Sequence, residues 1–249
     1  MKLRSRFWLC AFLISALLFP ASHDAVAAKR AKKKDGWSRR IEAGMNLTEG
    51  NKDSVQTRMQ LEAKKKTEES ATGLKVRGEI GEVAGERTRE RVTAEVEHRR
   101  TMGPRSYLTY RAEFLYDGVA DVDYRVLLSP SYGYLALQDG VQELRLEIGP
   151  AGILEKKGGE RDSYPALRAA EYYECRITAV SLLKQGVEYI PELRDGAGVY
   201  LAKAFIELQL EMDEQLSVRL RLEGDYDSEP AEGKEKQDTT FSVGLSYTF

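Results

Sequence analysis

From Trp37 onward the chain alternates apolar and polar residues with a period of two, broken at intervals by turn-forming residues. Ile41, Ala43, Met45 and Leu47 share one face of the first run, opposite Arg40, Glu42, Gly44 and Asn46. After a turn at Glu49-Gly50-Asn51-Lys52, Val55, Thr57, Met59 and Leu61 alternate with Gln56, Arg58, Gln60 and Glu62. Side chains on a strand point to opposite faces in turn, so this pattern predicts two-faced β-strands joined by hairpins. The same pattern recurs in Leu74–Ile80, Val92–Val96, Leu108–Tyr116, Val122–Leu128 (interrupted by Pro130) and Leu144–Ile148. Residues 164–178 and 182–190 are less regular, with Tyr173, Cys175 and Ile177 the expected outward set of the first.

The clearest pair lies near the end. Tyr200, Ala202, Ala204, Ile206, Leu208, Leu210 and Met212 oppose Lys203, Glu207, Gln209 and Glu211. After the Asp213-Glu214 turn, Leu216, Val218, Leu220 and Leu222 oppose Arg219, Arg221 and Glu223. If the apolar face meets lipid, a one-residue slip places two arginines there at about 2–4 kcal/mol each near the midplane. Twelve strands fit residues 37–249 at about 18 positions per strand and connection, with ten the runner-up count. The fold class read from this is all-β: a transmembrane antiparallel up-and-down β-barrel with both termini on one side.

The last residues sharpen that reading. Phe241, Val243, Leu245, Tyr247 and Phe249 lie on one face of the final strand. Ser242, Gly244, Tyr247 and Phe249 resemble the C-terminal assembly signal of bacterial outer-membrane barrels. Closure then brings Trp37 of the first strand beside Phe249 of the last as the barrel seam. At the other end of the chain, Lys2, Arg4 and Arg6 precede an apolar run from Phe7 to Phe19. Ala25-Val26-Ala27 follows as a small-x-small cleavage site. Residues 1–27 therefore read as a signal peptide cleaved near Ala27, residues 28–36 as a basic flexible linker and residues 37–249 as the barrel. The expected location is the bacterial outer membrane.

Composition narrows the function classes. Loss of residues 1–27 reduces Lys plus Arg from 38 to 35 and Asp plus Glu from 40 to 39, a formal charge of −4. That balance argues against a nucleic-acid partner. Cys175 and His98 remain as the single residues of their types, which excludes two-cysteine or two-histidine metal sites within one mature chain. No cofactor or metal is expected. His98 falls at the terminal end of the fourth strand, whereas a surface hydrolase needs its histidine at the opposite end. Asp225-Tyr-Asp227-Ser-Glu229 lacks the glycine and distal glutamate of an EF-hand and reads as a solvated loop. Gly78, Gly81, Gly85 and the Gly149–Gly152 stretch lack a strand-to-helix context and suit bulges and turns rather than phosphate binding. The most chemically unusual surface is the inward face. Arg111, Arg125, Arg145, Arg219 and Arg221 share it with Glu113, Glu143, Glu147, Glu207 and Glu223, as either a charged pore lining or an ion-pair filling.

Trp37, Gly44-Met-Asn-Leu-Thr-Glu-Gly50-Asn51, Glu147-Ile-Gly-Pro150, Asp225–Pro230 and Gly244–Phe249 together resemble the salt-induced outer-membrane protein family, the domain of unknown function 481 family. Lys52 follows Asn51 where that family more usually has serine. The resemblance spans essentially all of the mature chain and implies an outer-membrane β-barrel, without catalytic or ligand residues to carry over. The leading expectation is a non-enzymatic barrel with a structural, salt- or envelope-stress or narrow-pore role. Its partners are outer-membrane lipid and, during biogenesis, the barrel assembly machinery, with the oligomeric state open. The alternatives are a barrel enzyme acting on lipid or peptide, and a soluble periplasmic β-protein carrying an apolar ligand.

Overall fold

The computed structural model describes residues 36–49, 54–194 and 198–249. The expected signal peptide, nearly all of the linker, and the Gly50-Asn51-Lys52 turn lie outside the described residues. Twelve strands follow in order: β1 (Trp37–Glu49), β2 (Ser54–Lys66), β3 (Ser70–Val83), β4 (Glu86–Thr101), β5 (Ser106–Asp117) and β6 (Val122–Gln138). Then come β7 (Gln142–Lys157), β8 (Glu160–Arg176), β9 (Ser181–Pro191), β10 (Tyr200–Glu211), β11 (Leu216–Asp227) and β12 (Gln237–Thr248). Each strand pairs antiparallel with its sequence neighbours, and β1 closes on β12 to form a barrel. Among the described residues the strands therefore number twelve, not ten.

Closure depends on two glycines that face each other. Gly44 of β1 pairs with Gly244 of β12. A Cβ at Gly44 would sit 2.4 Å from the Val243 carbonyl oxygen and 2.8 Å from the Gly244 Cα, so the backbones here approach more closely than any side chain allows. Beyond the last ladder pair, Phe249 N–H donates to the Arg39 carbonyl (2.9 Å) and Arg39 N–H donates to that of Phe249 (3.1 Å). The terminal aromatic is thus held at the seam, two residues from Trp37.

Alternation decides which face is which. Met45, Leu61, Ile80, Phe114, Ile148, Val243 and Leu245 are exposed on the outer wall, whereas Glu42, Arg58, Glu79, Arg168 and Arg219 are buried inside. Strands of 12 residues such as β10, β11 and β12 span about 40 Å at ~3.3 Å per residue, or roughly 30 Å once tilted by ~40°. That matches a hydrocarbon slab. An apolar exterior around a charged interior is the inverse of a soluble domain.

Two features depart from the sequence reading. Val122, expected outward with Tyr124, is buried inside because the β6–β7 register shifts between Val122 and Tyr124. Pro130 does not interrupt β6, which runs continuously to Gln138. The β6–β7 ladder instead skips from Leu128↔Gly152 to Tyr132↔Ile148, past the donor-less Pro130 and Pro150.

Candidate functional site

The site is the barrel interior, where alternate residues of twelve strands converge. All ten candidate lining residues face it. Arg111 and Glu113 project from β5, Arg125 from β6, and Glu143, Arg145 and Glu147 from β7. Glu207 projects from β10, and Arg219, Arg221 and Glu223 from β11. The structure adds partners that sequence patterning missed, and several come from strands far apart around the ring.

One cluster surrounds Arg168 of β8, which is 0% exposed. Its Nε donates to Glu188 Oε2 of β9 and its Nη1 to Glu147 Oε2 of β7, both at 3.0 Å. Its Nη2 donates to the Tyr172 hydroxyl at 2.6 Å, which in turn donates to Glu188 Oε1 at 2.6 Å. Tyr107 of β5 donates its hydroxyl to the other oxygen of Glu147 at 2.8 Å. Arg111, also on β5, crosses to Tyr172 (3.0 Å) and Glu188 (3.3 Å). Arg145 lies over the Tyr172 ring at 5.1 Å and contacts Glu143 at 3.2 Å. A fixed, forked guanidinium suits such multi-carboxylate sites better than an ammonium.

A second set of contacts crosses the lumen to β11. Its alternate carboxylates Glu223, Asp225 and Asp227 meet Arg77 of β3 (2.8 Å), Arg91 of β4 (2.9 Å) and Arg125 of β6 (2.7 Å). Lys203 of β10 pairs with Glu113 of β5. These partners are separated by four or five places around the ring, so the bonds cross the interior rather than running along the wall. Asp225 and Asp227 were expected in a solvated loop. They are instead strand residues whose period-two spacing turns both carboxylates inward. Arg221 completes this side, bonded to Glu223 (2.7 Å) and Glu207 (3.2 Å), with its guanidinium 3.9 Å from the centre of the Phe205 ring.

A third cluster stitches the seam from inside. Glu42 of β1 accepts from Arg58 of β2 at 2.6 Å and from Arg219 of β11 at 3.2 Å. Arg58 also donates to the Ser242 hydroxyl of β12 at 2.9 Å. Ser242 therefore faces the lumen, while Tyr247 and Phe249 remain on the outward face near the terminal end.

Two cavities lie on either side of the crossing layer. One of about 330 Å³ reaches the end of the barrel that carries Trp37 and Phe249, where Lys64, Arg99 and Lys184 line it. The other, about 80 Å³, lies at the opposite end beneath residues 230–236. Arg91, Glu113, Lys203 and Asp225 line both and form the partition between them. Above it, Lys157 donates to the Glu229 carbonyl at 2.5 Å and Lys234 to the Val119 carbonyl at 2.7 Å, which draws the 228–236 connection over the mouth.

His98 lies apart from all of this. It faces outward near the terminal end of β4, with Nδ1 2.9 Å from the Thr72 hydroxyl. Cys175, on the outward face of β8, is a free buried thiol.

The chain resembles several solved barrels in fold. The NanC porin has a TM-score of 0.59 at 9% identity, with 84% of this chain and 100% of that one covered. The translocator domain of autotransporter NalP from Neisseria meningitidis scores 0.54 at 10% identity, over 89% and 91% of the two chains. An outer-membrane channel from Pseudomonas putida F1 scores 0.52 at 10% identity, over 91% and 99%. No curated protein matches the chain. A family model described as a protein of unknown function, DUF481, matches residues 41–249.

Proposed function

The chain belongs to the DUF481 family, and we propose that it is a non-enzymatic outer-membrane barrel acting as a narrow pore for small polar solutes. The observation that carries this is the interior itself: two cavities lined by charged side chains and separated by ion pairs from opposite walls. Such pairs satisfy one another when the passage is closed, and they exchange for hydrated solute or ions when it conducts. The porin and channel among its fold neighbours support the pore reading at the level of architecture.

Orientation follows from the connections. Short turns face the periplasm and longer loops face outward in bacterial barrels. Here at most four residues separate consecutive strands at the Trp37/Phe249 end, whereas the 228–236 connection at the other end is nine residues long. The termini therefore lie in the periplasm and the 228–236 connection at the cell surface. His98 sits at the periplasmic rim, engaged with a threonine, away from the paired acids and bases of the lumen.

Swelling of proteoliposomes in isosmotic solutes of rising size tests the pore. Uptake of the smallest polar solutes with a sharp size cut-off is expected; no uptake at any size would overturn it. Release of the protein from membranes by a salt wash alone would overturn the membrane assignment.

A further inference from the structure

The two cavities of the lumen differ in charge. Among the described residues, thirteen lysines and arginines line the periplasmic one of about 330 Å³ against nine carboxylates, whereas the outer one has six of each. The excess gathers where carboxylates are shared. Glu62 of β2 takes Lys64 at 2.5 Å and Arg40 of β1 at 3.1 Å, with Arg219 of β11 at 4.0 Å. Glu207 of β10 takes Arg221 at 3.2 Å, Arg219 at 3.8 Å and Lys184 of β9 at 4.0 Å. Glu42 and Glu223 also meet these two arginines, but Arg58 and Arg77 claim them as well. Arg219 stands between Glu62 and Glu207 and so links Lys64 to Lys184, from strands five places apart around the ring. Donors are left over too. Arg219 is only 5% exposed, yet its Nε has no hydrogen-bond partner, and neither has the Nε of Arg111 on the facing wall. Lys184 has an acid only at 4.0 Å, too far for a hydrogen bond. Buried donors without acceptors, in a chamber with surplus positive charge, favour an anion.

We propose that the periplasmic cavity binds a small oxyanion, a carboxylate or a phosphate, between Lys64, Lys184 and Arg219, and that this makes the pore selective for anions. An oxyanion supplies the acceptors these donors lack. The planar guanidinium matches its oxygens, and the two ammonium groups add charge from either side. Both lysines are open to the cavity, with 58% of the Lys64 side chain and 19% of the Lys184 side chain exposed. The outer cavity has no such surplus, so selection is set at the periplasmic end. The selectivity rests on the pore reading, whereas binding to the folded barrel does not, and the two are measured separately.

Calorimetric titration of the folded protein in detergent with inorganic phosphate reads binding, with heat-modifiable gel mobility as the check that the barrel is formed. The wild type should bind phosphate, and Lys64→Gln with Lys184→Gln should weaken binding about tenfold. Reversal potentials in planar bilayers under a potassium chloride gradient read selectivity. Chloride should be more permeant than potassium in the wild type, about equal to it in the glutamine variant, and less permeant in Lys64→Glu with Lys184→Glu. Lys156→Gln removes a lysine at the outer end of β7 and should change neither reading. If the double variants fail to fold, Lys64→Gln alone, at an exposed rim position, should shift both readings in the same direction. No phosphate binding by the folded wild type, or equal binding by the glutamine variant, would overturn the site. A conducting wild type that is indifferent to charge or favours potassium would overturn the selectivity. Phosphate binding by a barrel that conducts nothing would uphold the site and overturn the pore reading, and the selectivity with it.

Discussion

Arg168→Met removes the centre of the β7–β9 cluster and measures how far the interior network holds the barrel together. Arg168 is fully buried and makes three bonds, to Glu188 and Glu147 at 3.0 Å each and to Tyr172 at 2.6 Å. Methionine fills similar space but leaves two carboxylates with fewer counter-charges. Glu147 keeps the Tyr107 hydroxyl, and Glu188 keeps Arg111 and Tyr172. Breaking a buried pair by removing one partner costs about 3–5 kcal/mol, and these remaining bonds place the expected loss toward the lower half of that range. Urea unfolding of the refolded protein in lipid vesicles, followed by tryptophan fluorescence, reads the change. With a slope of ~1–3 kcal/mol per molar urea the midpoint should fall by at least about 1 M. The control is Lys156→Ala, which breaks a pair with Asp123 whose side chains are 33% and 51% exposed. That pair should contribute under about 1 kcal/mol. An Arg168→Met midpoint indistinguishable from that of Lys156→Ala would refute the reasoning.

Three further outcomes follow from the seam and the turns. Gly44→Ala pushes a methyl group into the Val243 carbonyl and should lower the yield of heat-modifiable, closed barrel; a wild-type yield would show that the seam relaxes freely. Phe249→Ala removes the outward aromatic beside the Arg39 pairing and should reduce membrane levels of the protein without altering the conductance of molecules that assemble. Unchanged membrane levels would contradict that assignment. In the β10–β11 turn, Asp213 accepts hydrogen bonds from the Gln215 and Leu216 amides, which hold its carboxyl below the usual aspartate range. Because its folded-state pKa is depressed, its contribution to stability is present above the ordinary value of about 3.9 and is lost as pH falls through the folded value. An NMR titration of that carboxyl with a midpoint at or above the ordinary value would contradict this capping.

What the sequence makes legible, and what it hides, divides along physical lines. Strand number and outward faces are readable because lipid requires an uninterrupted apolar face and turns punctuate it. Leu216–Leu222 and Val243–Phe249 leave no choice of parity. β8 and β9 are harder to read because Glu171 and Gln185 occupy outward positions that alternation reserves for apolar side chains. That blurs the inward row containing Arg168 and Glu188, the centre of the network. A parity count that tolerates one polar outward residue per strand would have found both. Cross-lumen partners such as Arg91 and Asp225 are invisible for another reason. They stand on β4 and β11, and only the registers of a closed ring decide that they meet. The Asp225–Asp227 pair shows the related error, since a Pro-containing polar stretch downstream masks carboxylates that still belong to the strand.

The central claim is that ion pairs across the lumen narrow a conducting passage. Single-channel recording in planar bilayers, comparing the wild type with Glu113→Ala combined with Lys203→Ala, tests it most directly. The double variant removes one bridge in the partition between the two cavities and leaves the net charge unchanged. The expected result is a small, stepwise wild-type conductance that rises severalfold in the variant at the same salt. Equal conductance in both proteins, or silence in both, would contradict the account.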